Sequence, residues 1–91
     1  MIANILIDAL GTFVLVLSVF LSGGNSLVIG TTLAAIVFLI GSISGGYVNP
    51  AISLAGYFYG SLSFAEFIGY SAGQFLAAIL AVKLYSHYSQ K

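Results

Sequence analysis

Apolar residues form three long runs along the chain, separated by short segments rich in glycine and polar residues. The first run covers residues 2–21, the second 27–44 and the third 63–85. A helix that spans a bilayer needs about 20 mostly apolar residues. The length of each run therefore predicts a membrane-spanning α-helix.

Turn-forming and capping residues mark the ends of these runs. Ser22–Ser26 has the sequence SGGNS, which does not readily continue a helix. The second run ends at Gly45 and Gly46. Ser63 and Glu66 have the spacing of a capping box, in which both side chains accept hydrogen bonds from free backbone N–H groups. We therefore predict that Glu66 caps the third helix at the membrane edge and is not a functional carboxylate buried in lipid.

A shorter apolar segment lies between the second and third runs. Residues 50–59 would form a helix of about 15 Å, which is half of a hydrocarbon core of about 30 Å. Asn49 is a favoured N-cap, Pro50 suits the first helical position, and Gly60 supplies a C-terminal stop. We interpret the segment as a half-helix that enters the membrane and returns. The alternative is an interfacial turn followed by a helix, and the local sequence favours neither.

The composition is that of a membrane protein. Of 91 residues, 60% are hydrophobic and 4% are charged, whereas soluble domains carry roughly 25% charged residues. No charged side chain occurs between Asp8 and Glu66, or between Glu66 and Lys83. The formal net charge is zero, which gives no basic surface for nucleic acid. The sequence therefore predicts an all-α, multi-pass integral membrane protein that binds lipid and no nucleic acid.

Residues suited to catalysis or metal binding are scarce. The chain has no cysteine, and its one histidine, His87, is placed with Lys91 in a solvated tail. The sequence therefore offers neither a cysteine nucleophile nor a thiolate metal site. We predict no enzymatic activity, no metal site and no cofactor.

Small side chains recur at every fourth position of the third run. They are Ala65, Gly69, Gly73, Ala77 and Ala81. This spacing puts them on one helix face, and the Gly-x-x-x-Gly pattern lets membrane helices approach closely. Any single pair could reflect the abundance of glycine and alanine in membrane helices, but five in register argue for a contact. We predict that this face packs against protein, with Gly69, Gly73 and Ala77 in the contact.

Three motifs occur in an order known from one family. Residues 44–55 read SGGYVNPAISLA, close to SGAxxNPAVTLA. Residues 7–16 read IDALGTFVLV, close to AEFLGTFFLV with Asp8 in place of glutamate. Residues 72–81 read AGQFLAAILA, close to AQxLGAILA with Gln74 at the glutamine. Together they resemble the aquaporin and glycerol-facilitator (major intrinsic protein) family of membrane channels, over nearly the whole chain.

The resemblance implies a fold. Family members contain two halves of inverted orientation, each with three spans and one Asn-Pro-Ala half-helix. Residues 1–91 would thus form a single half-repeat, one half of the aquaporin fold. Ile52 follows the tripeptide, as in first halves of the family, whereas second halves usually carry arginine there, at a narrow constriction. The absence of that arginine leaves selectivity and proton exclusion open.

The resemblance also implies a solute path along the half-helix, whose positive N-terminal end would lie at the membrane centre. The amide N–H groups of Asn49 would point to the permeating molecule while its side-chain oxygen caps the helix. The residues implied to line the path are the tripeptide Asn49, Pro50 and Ala51, the following Ile52, the carbonyl groups of Gly46, Tyr47 and Val48, and the apolar side chains of Ile29, Leu33 and Val37 on the second span.

Asp8 has two interpretations. A carboxylate within a span is costly and is by default a functional candidate. Near the N-terminus of its helix, the helix dipole would favour the same residue at the membrane interface. The resemblance implies a buried acceptor that supports the pore loop, and we favour that role.

These features predict a passive channel for water or small neutral solutes such as glycerol. Three spans and one half-helix cannot enclose a pore, so we expect two antiparallel copies, with both Asn49 side chains at the centre. Four such dimers, eight chains in all, would match the tetrameric habit of the family. The alternatives are a non-conducting membrane assembly, a partner subunit that pairs with a different half-channel chain, and a small dual-topology exporter. The spans lack a central carboxylate suited to proton-coupled export.

Overall fold

The computed structural model describes residues 1–89, and this part of the chain is helical without β-strands. The four helices are α1 (Ile2–Leu21), α2 (Ser26–Ser44), α3 (Pro50–Tyr59) and α4 (Phe64–Ser89). Three of them, α1, α2 and α4, are long and apolar enough to cross a membrane. The predicted all-α fold, with three spans and one short helix, is confirmed.

Two helices differ from their predicted bounds at one end. The N-cap residue of α2 is Asn25, whose Oδ1 accepts hydrogen bonds from the N–H groups of Leu27 at 3.0 Å and Val28 at 3.1 Å. This cap starts α2 one residue early, at Ser26. α4 continues past the apolar run to Ser89, because neither glycine nor proline interrupts it there.

The polar end of the chain therefore belongs partly to α4. His87 lies in the last turn of this helix and is exposed, as the prediction of a solvated position requires. The other residue assigned to the tail, Lys91, lies outside the described residues.

A capping box starts α4. The Ser63 N–H donates to Glu66 Oε1 at 2.8 Å, and the Glu66 N–H donates to Ser63 Oγ at 3.1 Å. The prediction that Glu66 caps the third span is confirmed.

α1 lies between α2 and α4, and α3 packs on α4. The small-residue face of α4 meets α1 of the same chain. A Cβ atom added at Gly73 would lie 3.3 Å from Ile5 Cγ2 and 3.4 Å from Ala9 Cβ, and one added at Gly69 would overlap Ile5 Cδ1. Ala77 is also buried. The contact made by this stripe is therefore internal to the chain, and it stops before Ala65, which is exposed.

α3 begins at half the depth of the helical layer. Val48, two residues before α3, approaches Gly11, since a Cβ added at Gly11 would lie 3.1 Å from Val48 Cγ1. Gly11 is at the midpoint of the 20-residue α1. The 10 residues of α3 then return toward the end of the bundle from which α4 starts. This geometry is that of a half-helix and not of an interfacial turn.

Candidate functional site

A buried carboxylate holds the loop that precedes α3. Asp8 on α1 is 0% exposed. Its Oδ1 accepts hydrogen bonds from Ser44 Oγ at 2.9 Å and from the Tyr47 N–H at 3.0 Å. Its Oδ2 accepts from the Val48 N–H at 3.0 Å and from Gln74 Nε2 at 2.8 Å. These four donors replace the water that an ionised carboxylate loses on burial.

Gln74 extends this cluster from α1 to α3. Its side chain is 1% exposed, and its Nε2 donates to Asp8 Oδ2 and to Ser53 Oγ, each at 2.8 Å. The Ser53 hydroxyl on α3 in turn lies 3.2 Å from Gln74 Oε1, to which it donates. One glutamine on α4 therefore ties the buried carboxylate to the half-helix.

The end of α2 is held by Ser44 and Tyr70. The Ser44 hydroxyl donates to Asp8 and accepts the Gly46 N–H at 3.1 Å. The Tyr70 hydroxyl donates to the Ser44 carbonyl at 2.9 Å, and the Tyr70 ring meets the Tyr47 ring edge-on with centroids 5.5 Å apart. A carbonyl that α2 leaves without an intrahelical partner is thus satisfied by α4.

Sequence reasoning assigned no role to Ser44, Ser53, Tyr70 or Gln74. The signal that could have identified two of them is their spacing, since Tyr70 and Gln74 lie four residues apart on the same face of an apolar span. Polar side chains in a span are expected to face protein.

The loop between α2 and α3 turns sharply because three of its residues have positive φ. These are Gly45 at 90°, Gly46 at 64° and Val48 at 47°. The value at Val48 is uncommon for a β-branched residue. Asn49 then returns to extended backbone, and its Oδ1 accepts the Ala51 N–H at 2.8 Å, which caps α3. The Asn49 side chain is exposed, in contrast to the buried Val48 before it.

A groove of about 330 Å³ lies along this loop and the start of α3. It is lined by Leu15 of α1, Leu33 and Val37 of α2, the loop residues Gly46, Tyr47, Val48 and Asn49, and Ile52 of α3. The groove combines apolar side chains with the Asn49 amide and the backbone of the loop.

The groove differs from the predicted path at four positions. Ile29 lies outside it, because α2 carries this residue one turn away from Leu33, toward the Ser22–Ser26 turn. Pro50 and Ala51 are also outside its lining and instead form the first turn of α3. Leu15, one turn after Gly11 on α1, lines the groove without having been predicted, because its position depends on how α1 packs against the loop.

Side chains that could ligate a metal are not clustered in the described residues. Within residues 1–89, no group of three or more His, Cys, Asp or Glu side chains could hold a metal ion. The one carboxylate near the groove, Asp8, already accepts four hydrogen bonds from protein groups.

The whole chain, residues 1–91, matches the family model described as major intrinsic protein. The chain belongs to the major intrinsic protein family. This membership agrees with the resemblance of the three motifs. Together, the family and the three apolar helices show that the chain is a multi-pass integral membrane protein.

Several curated relatives are similar to this chain. Aquaporin Z of Photorhabdus laumondii is 33% identical over an alignment of 95 positions, which covers 89% of this chain and 41% of the relative. Lens fiber major intrinsic protein of Gallus gallus is 39% identical over 56 residues, covering 62% of this chain and 21% of the relative. Glycerol uptake facilitator protein of Bacillus subtilis is 39% identical over 60 residues, covering 65% and 22% respectively.

The chain thus spans less than half the length of these relatives, from 21% to 41%. No solved structure matches the chain.

Proposed function

We propose that the chain forms part of a passive channel for water and small neutral solutes such as glycerol. The observation that carries this proposal is the start of α3, where the exposed Asn49 and the loop backbone border an otherwise apolar groove. Two of the similar proteins are named aquaporin Z and glycerol uptake facilitator protein, which supports the same class of solutes.

The position of the loop supports a wet groove. Irregular backbone at membrane depth is tolerated only where it is buried in protein or lines a water-filled cavity. Gly46 and Tyr47 lie in the loop that approaches the midpoint of α1, and both line the groove. Their carbonyl groups offer hydrogen-bond acceptors to a solute, and the Asn49 amide offers donors.

The apolar lining of the groove provides the selectivity. A neutral molecule that enters the groove replaces its hydrogen bonds to water with hydrogen bonds to the loop and Asn49. The side chains of Leu33, Val37 and Ile52 offer it no further polar partner. A hydrated cation meets an apolar wall and the positive N-terminal end of α3. The groove therefore favours neutral solutes over ions.

In this proposal Asp8 is a support for the pore loop and not a contact for the solute. Its two oxygens accept the Tyr47 and Val48 N–H groups, so the carbonyl groups of these residues are left to the path. Since the carboxylate is fully buried and has four donors, it stays out of reach of a passing molecule.

The enclosed pore requires a second half. α3 is half a span long and the groove is open on one side, so we infer that a second, antiparallel copy closes it, with the two Asn49 side chains at the centre. Four such dimers, eight chains in all, are the assembly that the family resemblance suggests. The alternatives are a non-conducting membrane assembly and a partner subunit whose groove is closed by a different half-channel chain. Ile52 favours the pairing with a different chain, because that chain would supply the constriction arginine absent here.

Stopped-flow light scattering of liposomes that contain only this chain tests the proposal. Under an impermeant-solute gradient and under a glycerol gradient, we expect protein-containing vesicles to change volume faster than empty ones, with no increase in ion leakage. Equal rates with folded protein would contradict a channel built from this chain alone. Co-reconstitution with a candidate partner half would then separate the alternative assembly from the absence of a channel.

A further inference from the structure

Val48, like Tyr47, anchors the loop to Asp8 of α1, and of these two residues Val48 is the buried one. Its side chain is 4% exposed, and its N–H donates to Asp8 Oδ2 at 3.0 Å. Its φ of 47° is rare for a β-branched residue. Such a conformation persists only where the surrounding structure holds it, so the contacts of Val48 fix the backbone on both sides of it.

The side chain of Val48 is part of a socket, by which we mean the convergence of Val48, Ile36 and Ile40 on Gly11. A Cβ atom added at Gly11 would lie 2.8 Å from Ile40 Cδ1, 3.0 Å from Ile36 Cγ2 and 3.1 Å from Val48 Cγ1. All three side chains therefore converge on the position where Gly11 has no side chain. The socket has no room for an additional methyl group unless one of them moves.

We propose that this socket sets how far Asn49 projects into the groove and thereby determines the largest solute that passes. Val48 is buried behind the loop, while Asn49, the next residue, is exposed and lines the groove. Ile40 Cδ1 is the end of a flexible side chain and can move aside, whereas Val48 Cγ1 belongs to a β-branched side chain that is stiff at χ1. Added volume at Gly11 therefore shifts Val48, and with it the loop backbone, by a few tenths of an ångström. The inference rests on the proposed function and adds to it a determinant of size selectivity outside the solute path.

Gly11→Ala tests the socket, with the ratio of glycerol to water permeability as the readout. Pushing Asn49 into the groove hinders the larger solute more, so we expect the ratio to fall by about threefold, equivalent to roughly 0.65 kcal/mol of added barrier. Gly30→Ala on α2 is the matched control, since a Cβ added there meets nothing within 4 Å. It should keep the ratio of the unmodified protein.

Val48→Ala should reverse the change that Gly11→Ala makes in the ratio of glycerol to water permeability. In the Gly11→Ala background it removes two methyl groups where one has been added, and the ratio should return toward its original value. Val48→Ala alone should raise the ratio. Residues that act through one contact or one backbone shift are non-additive, so the double variant should recover by more than the sum of the two single effects predicts. An unchanged ratio in Gly11→Ala, or a ratio that Val48→Ala leaves low, would overturn the proposal.

Failure of the socket and failure of the proposed function give different results. If the unmodified protein passes neither water nor glycerol, the proposed function fails. The socket is then judged by thiol labelling, because the chain has no cysteine and Ile52→Cys places a single thiol in the groove. Labelling by a water-soluble reagent should slow in the Gly11→Ala background and recover in the double variant. The same labelling rate in the original, the Gly11→Ala and the double-variant backgrounds would overturn the proposed role of the socket. This holds even if Gly11→Ala lowers the melting temperature.

Discussion

Asp8 and Gln74 are 66 positions apart in sequence, and a hydrogen bond of 2.8 Å joins their side chains in the interior of the helical layer. Both side chains are almost completely buried. The bond connects the first and last spans, and through Ser53 it reaches the half-helix as well. The loop beside the groove is therefore positioned by side chains of α1, α3 and α4 and not by its own sequence alone.

Asp8→Asn should destabilise the protein and disorder the loop. Asparagine offers one acceptor oxygen where the carboxylate offers two, and its amide group faces two of the four donors, among them the N–H of either Tyr47 or Val48, which has no other acceptor. Leaving buried donors unsatisfied costs about 1–3 kcal/mol for each group, so we expect a loss of at least about 2 kcal/mol in unfolding free energy. Thermal melting in detergent measures it.

Asp8→Glu is the matched control for this change, because it retains the carboxylate at the position where the family resemblance has glutamate. Its melting temperature should lie much closer to that of the unmodified protein. An Asp8→Asn variant as stable as Asp8→Glu would show that the two oxygens are not both needed.

Tyr70→Phe should loosen the start of the loop while leaving the ring contacts in place. It removes only the hydroxyl that donates to the Ser44 carbonyl at 2.9 Å, a hydrogen bond worth about 1 kcal/mol. Hydrogen exchange at the Gly46 N–H, read by mass spectrometry of the loop peptide, should become faster. Tyr57→Phe, in the aromatic cluster with Phe64 and Phe67, is the control, and equal exchange in both variants would contradict the role of the Tyr70 hydroxyl.

Asn49→Asp should change which solutes pass. Aspartate still caps α3, but it places a carboxylate beside the groove, where a charge attracts cations and is costly at membrane depth. We expect lower glycerol flux or a new cation leak in liposomes. Asn25→Asp makes the same change at the N-cap of α2, away from the groove, and should leave both quantities unaltered. Unchanged flux and ion tightness in Asn49→Asp would remove Asn49 from the solute path.

Gly73→Leu should weaken the contact between α4 and α1 within one chain. The added side chain would press on Ile5 and Ala9, whose atoms already lie 3.3 and 3.4 Å from a Cβ at this position. Overpacking of this kind costs about 1–3 kcal/mol, so the melting temperature should fall. Ala65→Leu, on the exposed part of the same stripe, should be tolerated. If Ala65→Leu alone lowered the melting temperature, the stripe on α4 would make its contact with a neighbouring chain and not with α1.

The chain should insert into the membrane in both orientations. Orientation normally follows an excess of Lys and Arg in cytoplasmic segments, and the only such residues here are Lys83 and Lys91. Lys83 is near the end of its span and can extend to the interface, so the bias is one or two charges. A C-terminal tag probed from outside intact cells should be accessible in a fraction of the molecules. A tag that is accessible in all molecules, or in none of them, would exclude an antiparallel dimer of this chain.

The spans were predictable from the sequence because their information is local. A run of about 20 apolar residues is sufficient for a spanning helix, and Asn49, Pro50 and Gly60 specify where the half-helix starts and ends. The capping box at Ser63 is equally local. The boundaries that differed, at Asn25 and after Tyr85, involve polar residues for which helix and turn are close in free energy.

The sequence by itself therefore determined that the chain lies in a membrane, where its helices are and, through its motifs, the family to which it belongs. Only the tertiary structure decided which side chains meet. The four donors around Asp8 come from three separate segments, and the small-residue face of α4 could have served a neighbouring chain as well as α1. For the same reason, Leu15 lines the groove without having been predicted to, and Ile29, which was predicted to line it, lies outside. Helix periodicity states which residues share a face, whereas the partner of that face depends on the packing of residues distant in sequence.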